Sequence, residues 1–142
     1  MPKLNIRVVN AKLVAKNLQD LHAEIPRINR DHISKAANRI ISQMRKYPPQ
    51  HAGSTYQRTY RLRDAWRVVN NTKGVTISAN ATSRGRRYDE FVVGDVEGKG
   101  QAWMHVGNWL LFRDVVDYEM TKLPDAVEQQ IRYYAQGKGL TR

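Results

Sequence analysis

Two consecutive prolines, Pro48 and Pro49, divide this 142-residue chain. Neither has a backbone N–H to donate, and each pushes the residue before it out of the helical region, so no helix can cross the pair. The segment ahead of them is strongly helical in pattern. Ile33, Ala36, Ala37, Ile40, Ile41 and Met44 recur at helical spacing and place one apolar stripe on one face. Arg30, Lys35, Arg39, Arg45 and Lys46 lie mainly off that stripe, so the expectation is a core-packing helix with a solvated basic back. The helix must end at Tyr47. Residues 47–61 then read as an extended interaction loop rich in Gly, Ser, Thr and Tyr. A loop of that length inside a compact domain usually reaches a partner.

The rest of the chain is organised around this break. Leu4–Val9 is short and β-branched and reads as an edge strand. Val14, Leu18, Leu21 and Ile25 line one face of a helix that Pro26 is expected to bend or restart. Beyond the loop, Trp66–Asn71 and Val75–Asn80 are β-prone runs, and Thr72-Lys73-Gly74 between them suits a hairpin turn. Thr82–Arg87 is polar and reads as a flexible loop, Gly98-Lys99-Gly100 as a turn, and Gln101–Val106 as a further strand, so antiparallel strands are expected over 62–106. Val116, Met120, Leu123, Val127, Ile131 and Tyr134 return to helical spacing over 112–136. Pro124 should split or kink that helix, Gly137 caps it, and 137–142 is a tail. The expectation is a single α+β domain over 1–142. N-terminal amphipathic helices and a C-terminal helix pack on a small antiparallel β-sheet beside a long extended loop. Trp66 and Trp103 are the expected aromatic core residues of the sheet.

Composition removes several kinds of chemistry. With no cysteine there is no disulfide framework, thiolate metal site or cysteine nucleophile. No apolar run reaches membrane-spanning length and the N-terminus has no signal-peptide pattern, so a soluble protein without membrane contact is expected. His22, His32, His51 and His105 have no metal-ligand spacing. No nucleophile elbow or phosphate-binding glycine loop is present. Asp89, Glu90, Asp95 and Glu97 could hold Mg²⁺ or act as an acid/base pair, but they lie at strand ends and a glycine turn, where acidic residues are ordinary and offset nearby arginines. A metal-dependent hydrolase is therefore the weakest reading. No catalytic residue, cofactor or metal site is expected.

The net charge of +11 has a direction. Residues 1–50 carry ten Lys/Arg against three Asp/Glu, residues 51–100 nine against five, and residues 101–142 five against five. The excess implies an acidic partner surface, nucleic acid, or simple solubility. Two arginine clusters stand out. Arg58, Arg61, Arg63 and Arg67 flank Tyr60, Leu62 and Trp66, and Arg84, Arg86 and Arg87 share one polar loop. Arginine among aromatics fits nucleic-acid contact with base stacking, and equally a protein interface. The candidate partner interface is Tyr47, Pro48, Pro49, Tyr56, Arg58, Tyr60, Arg61, Arg63, Arg84, Arg86, Arg87 and Trp109.

Two blocks of residues carry a resemblance. Tyr47-Pro48-Pro49 is followed by Gly53-Ser54-Thr55-Tyr56-x-Arg58-Thr59, then Leu62 and Trp66. Val92-Val93-Gly94-Asp95 is followed by Gln101-Ala102-Trp103-Met104-His105 and Trp109. Together they resemble a family of tailed-bacteriophage and prophage tail components, the small head–tail joining or tail-completion proteins of the virion neck. The resemblance runs from about Leu13 to about Ile131. Members often have glycine after the Arg-Thr pair, where this chain has Tyr60, so a different local turn is expected there. The arginine-rich stretch at 83–87 looks like a local insertion.

The resemblance implies a non-enzymatic virion protein of neck or tail, made in the host cytoplasm. Such a protein forms a homo-oligomeric ring between a portal-side adaptor or connector and the tail terminator or tube proteins, with non-specific contact to DNA in the lumen. The alternative is a basic nucleic-acid-binding protein that uses the arginine–aromatic clusters.

Overall fold

The apolar stripe folds as the second half of helix α1, Ala11–Met44, in a computed structural model that describes residues 11–55 and 59–141. Its buried residues are Ile28, Ala36, Ala37, Ile40, Ile41 and Met44. Pro26 does not interrupt it, so this part of the chain holds one helix rather than two. An interior proline costs about 3 kcal/mol, through a lost hydrogen bond and a clash with the carbonyl four residues back. Here that carbonyl belongs to His22. Both His22 and Pro26 are exposed, so water can satisfy the freed carbonyl, while the stripe beyond the proline is buried. The expected edge strand at Leu4–Val9 lies outside the described residues.

Helix α4, Phe112–Gly137, runs through exposed Pro124 in the same way. It lies antiparallel to α1. Just past its end, the Lys138 ammonium meets Asp20 at 3.2 Å and the Lys138 carbonyl accepts from Asn17 at 2.9 Å. Near its start, Glu119 meets Arg39 at 2.7 Å. Nineteen residues separate the two ion pairs along each strand of the helical pair, about 28 Å at 1.5 Å per residue. The buried face of α4 contains Val115, Glu119 and Ala135, whereas Met120 of the expected stripe is exposed. A carboxylate inside the buried face is what apolar spacing could not register.

The first hairpin forms where expected. β1, Arg67–Asn71, pairs antiparallel with β2, Gly74–Ser78, with Val68 opposite Ile77 and Asn71 opposite Gly74. Thr72 and Lys73 make the two-residue turn, and the Asn71 side chain accepts from the Lys73 N–H at 2.9 Å. Val68 and Ile77 face the core together, as the period of two requires. The class is α+β, with α1 between α4 and the hairpin.

The remaining expected strands are replaced. Leu62 sits in a short helix, α2, Arg61–Ala65. Thr82–Arg87 is a second small hairpin, β3, Thr82–Ser83, paired with β4, Arg86–Arg87. Its turn residues Arg84 and Gly85 have φ of 50° and 76°, so both are left-handed, the combination that matches the twist of a two-residue hairpin. Asp89–Val93 is a helical turn, α3, with Asp89 and Glu90 at its start, where the helix dipole favours acidic groups. Gln101–Val106 forms turns rather than a strand. Its polar groups go to α3 instead: the Gln101 amide donates to Val92 O at 2.8 Å and the Ala102 N–H to Phe91 O at 2.8 Å.

One hydrophobic cluster joins the helices. Ile40, Ile41 and Met44 of α1 meet Leu62 and Trp66, Ala81, Val92 and Val93 of α3, and Val115 of α4. Trp66 is 3% exposed and stacks on Phe112 with centroids 5.4 Å apart, as a core tryptophan should. Its indole N–H has no hydrogen-bond partner among the described residues. Trp103, also expected in the core, is 84% exposed, because its segment turns outward instead of joining the sheet.

Two stability predictions follow from this packing. Glu119 is 4% exposed at its side chain and Arg39 is half exposed, so the pair is asymmetric. Arg39→Met leaves a buried carboxylate with only Lys122, 3.8 Å away, and should cost about 1–3 kcal/mol in urea unfolding. Glu119→Gln keeps an acceptor for Arg39 and should cost less. Gly94 has φ +74°, and a Cβ there would lie 2.7 Å from Leu111 Cδ1 and 3.2 Å from the Lys99 carbonyl. Gly94→Ala should therefore destabilise by about 1–3 kcal/mol, read as a lower urea midpoint at unchanged slope.

Candidate functional site

The prolines that end α1 also begin a cleft. Residues 46–55 and 59–60 form no helix or strand, and the first of them wrap back over the core. Tyr47 is the pivot. Its ring meets Tyr60 edge-on at 5.1 Å and 75°, and Trp109 at 4.7 Å and 73°. Such edge-to-face pairs contribute about 0.5–1.5 kcal/mol beyond their burial. Burial raises the Tyr47 phenol above its ordinary pKa, while the backbone of Arg63 and Leu62 in α2 opposes the shift. The phenol therefore stays protonated, and its ring ties the end of α1 to the start of α2.

Tyr60 holds the next turn. It has φ 55° and ψ 13°, the left-handed conformation that glycine enters without strain. The backbone here is one that suits glycine, and the tyrosine side chain is used for packing. Arg63 lies over the Tyr60 ring at 4.7 Å and pairs with Asp64 at 2.8 Å. Two guanidiniums then close α2. Arg45 donates to the Trp66 carbonyl at 3.2 Å and Arg67 donates to it at 2.9 Å.

The opposite wall comes from the second sequence block. Gln101 also donates to the Trp109 carbonyl at 3.3 Å, so one amide clamps both ends of the 101–109 segment against α3. Successive turns, with His105 N–H to Ala102 O at 2.9 Å and Trp109 N–H to His105 O at 2.9 Å, carry Trp109 back onto Tyr47. His105 meets the Trp109 ring edge-on at 6.2 Å. Burial lowers the His105 pKa below its ordinary value, so the neutral imidazole is favoured.

Between these walls lies a half-open cleft of about 730 Å³. Leu62 and Val92 are buried at its base. Tyr47, Pro48, Pro49 and Trp109 line it, with Tyr88, His51, Met104, His105 and Asn108. Arg61 and Arg84 also line it, and among the described residues no carboxylate does. Neither arginine has an ion pair among the described residues. Arg84 is presented by the strained left-handed turn of the second hairpin.

Six of the expected interface residues, Tyr47, Pro48, Pro49, Arg61, Arg84 and Trp109, thus line one cleft, and Tyr60 and Arg63 brace it from behind. Arg86 and Arg87 are not lining residues. Arg87 is committed to Asp89, 2.6 Å away, and to Glu90 at 3.7 Å. Asp89 is itself buried, and its carboxylate ties the second hairpin to the start of α3. Tyr56 and Arg58 lie outside the described residues. Sequence reading missed Met104, His105 and Asn108 as cleft residues, because a strand was expected where turns form. Among the described residues, no group of three or more His, Asp or Glu could hold a metal ion, and no helix is long and apolar enough to cross a membrane.

No family model, no curated protein and no solved structure matches the chain.

The His105 environment predicts a pH dependence. The folded pKa is below the unfolded value of about 6.5, so the unfolded chain binds the proton first. The contribution to stability is present above that value and is lost as pH falls below it toward the folded pKa. Urea midpoints compared between about pH 7 and pH 5 should fall less in His105→Gln than in the parent protein.

Proposed function

We propose that this chain is a structural protein of a tailed-bacteriophage virion, a neck or tail-completion subunit that joins head to tail as part of a ring. One observation carries the reading. The two sequence blocks that bear the resemblance lie far apart in the chain, yet they converge through the Tyr47–Trp109 contact on one concave surface. Aromatic rings, prolines and unpaired arginines are the composition of protein interfaces. Phe91, Val96, Trp103, Val106 and Leu110, all within residues 91–110, are exposed large apolar residues, as a segment that meets a partner would show.

The charge shapes how a ring can close. Subunits of net charge +11 repel one another, so assembly needs screening, an acidic neighbour, or DNA along the axis. The nucleic-acid alternative has one observation in its favour, since Arg61, Arg84 and Arg86 have no carboxylate partner among the described residues. Against it, the Tyr47, Tyr60 and Trp109 rings are spent on one another edge to face, whereas base stacking needs a row of open faces.

Mass measurements by light scattering at low and high salt, with and without duplex DNA, test the reading. The neck reading expects a monomer that ignores DNA, or a ring that persists or grows as salt rises. Tight DNA binding by a monomer that weakens steeply with salt would overturn it. Trp103→Ser should leave the stability of the isolated chain within about 0.5 kcal/mol and reduce assembly.

A further inference from the structure

The cleft at Tyr47 has a chemistry specific enough to name its occupant. Its base is apolar, formed by buried Leu62 and Val92. Its rim is basic, with Arg61 and Arg84 on different elements and, among the described residues, no acidic lining residue. Two arginines lining an apolar floor suit a carboxylate next to an apolar side chain, because each guanidinium can take a carboxylate through paired hydrogen bonds. The size of about 730 Å³ falls within the ordinary range of ligand pockets. Being half open, however, the cleft would leave a compact small molecule largely wet. A chain segment, which stays partly solvated when bound, suits a half-open cleft better.

Two other macromolecular occupants fit less well. A nucleic acid needs a track of cations at phosphate spacing and open ring faces, and among the described residues this cleft offers two arginines, with the Tyr47, Tyr60 and Trp109 rings already packed together. A second copy of this chain brings another +11 charges to a basic rim.

We infer that the cleft binds an extended, acidic segment of a different protein, seating an aromatic or aliphatic side chain over Leu62 and Val92 and carboxylates against Arg61 and Arg84. The inference rests on the neck reading only in taking the partner to be a protein. Arg84 supports it independently. A non-glycine residue in a left-handed turn costs stability locally, and here that turn presents a cation at the rim of an acid-free cleft.

The test uses the full-length protein and a fluorescently labelled, capped hexapeptide that alternates aspartate with phenylalanine. Controls are the counterpart that alternates lysine with phenylalanine, and a short oligothymidylate as competitor. Fluorescence anisotropy should show saturable binding of the acidic peptide, at least about tenfold tighter than the lysine peptide. Arg61→Gln and Arg84→Asn should each weaken it roughly tenfold, asparagine being chosen because it tolerates the left-handed turn. Arg86→Gln, on β4 outside the cleft, should leave it unchanged. Met104→Asp, at an exposed rim position, should weaken it by placing a competing carboxylate there. Equal binding of the two peptides, an equal loss in Arg86→Gln, or stronger competition by oligothymidylate would overturn the inference. Rings that form without any peptide binding would remove this inference and leave the neck reading standing. Peptide binding by a monomer that also binds duplex DNA tightly and with steep salt dependence would do the reverse.

Discussion

The last two turns of α1 hold the molecule together. Ile40, Ile41 and Met44 are where Leu62, Trp66, Val92, Val93 and Val115 all converge. Three separate stretches of chain therefore find their positions by burying apolar surface against one short length of helix. Each fully buried large side chain contributes about 1.5–3 kcal/mol, so this convergence is the main term that orders segments with little regular structure of their own. The small hairpins cannot supply it, since an isolated two-stranded pair is marginal in water. The cleft inherits its rigidity from the same place, because Leu62 and Val92 belong at once to the core and to the cleft base.

What the sequence made legible divides along physical lines. The α1 stripe, the β1–β2 hairpin and the reach of α4 follow from local periodicity and turn chemistry, and each forms. At Pro26 and Pro124 the split that was one of the two expected outcomes does not occur, because burial of the stripe from Ile28 onward, and of Val115, Glu119 and Ala135 about Pro124, outweighs local propensity. Gln101–Val106 misled for a different reason. Its β-prone composition is real, but Gln101 and Ala102 spend their hydrogen bonds on Val92 and Phe91, a choice made by tertiary contact. Trp103 went outward with that segment. At the cleft, residue types were readable and their meeting was not. Nothing local in Tyr47 or Arg84 says that they share a wall with Trp109 and His105.

Charge is distributed by the fold into two populations. One is consumed internally: Arg39 with Glu119, Arg87 with Asp89, and the Arg45 and Arg67 guanidiniums on the Trp66 carbonyl. The other, including Arg61, Arg84 and Arg86, is left facing outward without a carboxylate among the described residues. The net charge of the chain thus overstates how many cations hold structure and understates how localised the free ones are. An Arg-to-Lys exchange would be harmless to net charge yet damaging in the first population, where planar guanidiniums satisfy buried carboxylates and a carbonyl.

The antiparallel pairing of α1 with α4 also sets how the molecule moves. Its two anchor points differ in kind. Arg39–Glu119 has a buried carboxylate, whereas both partners of Asp20–Lys138 are more than a third exposed, on the half of α1 where Leu13, Val14 and Leu18 are exposed. Local opening costs least where few apolar contacts are buried. Amide protons around Asp20 are therefore expected to exchange at a lower opening cost than those around Ile40. The same continuous helix is anchored by apolar burial at one end and by polar contacts at the other.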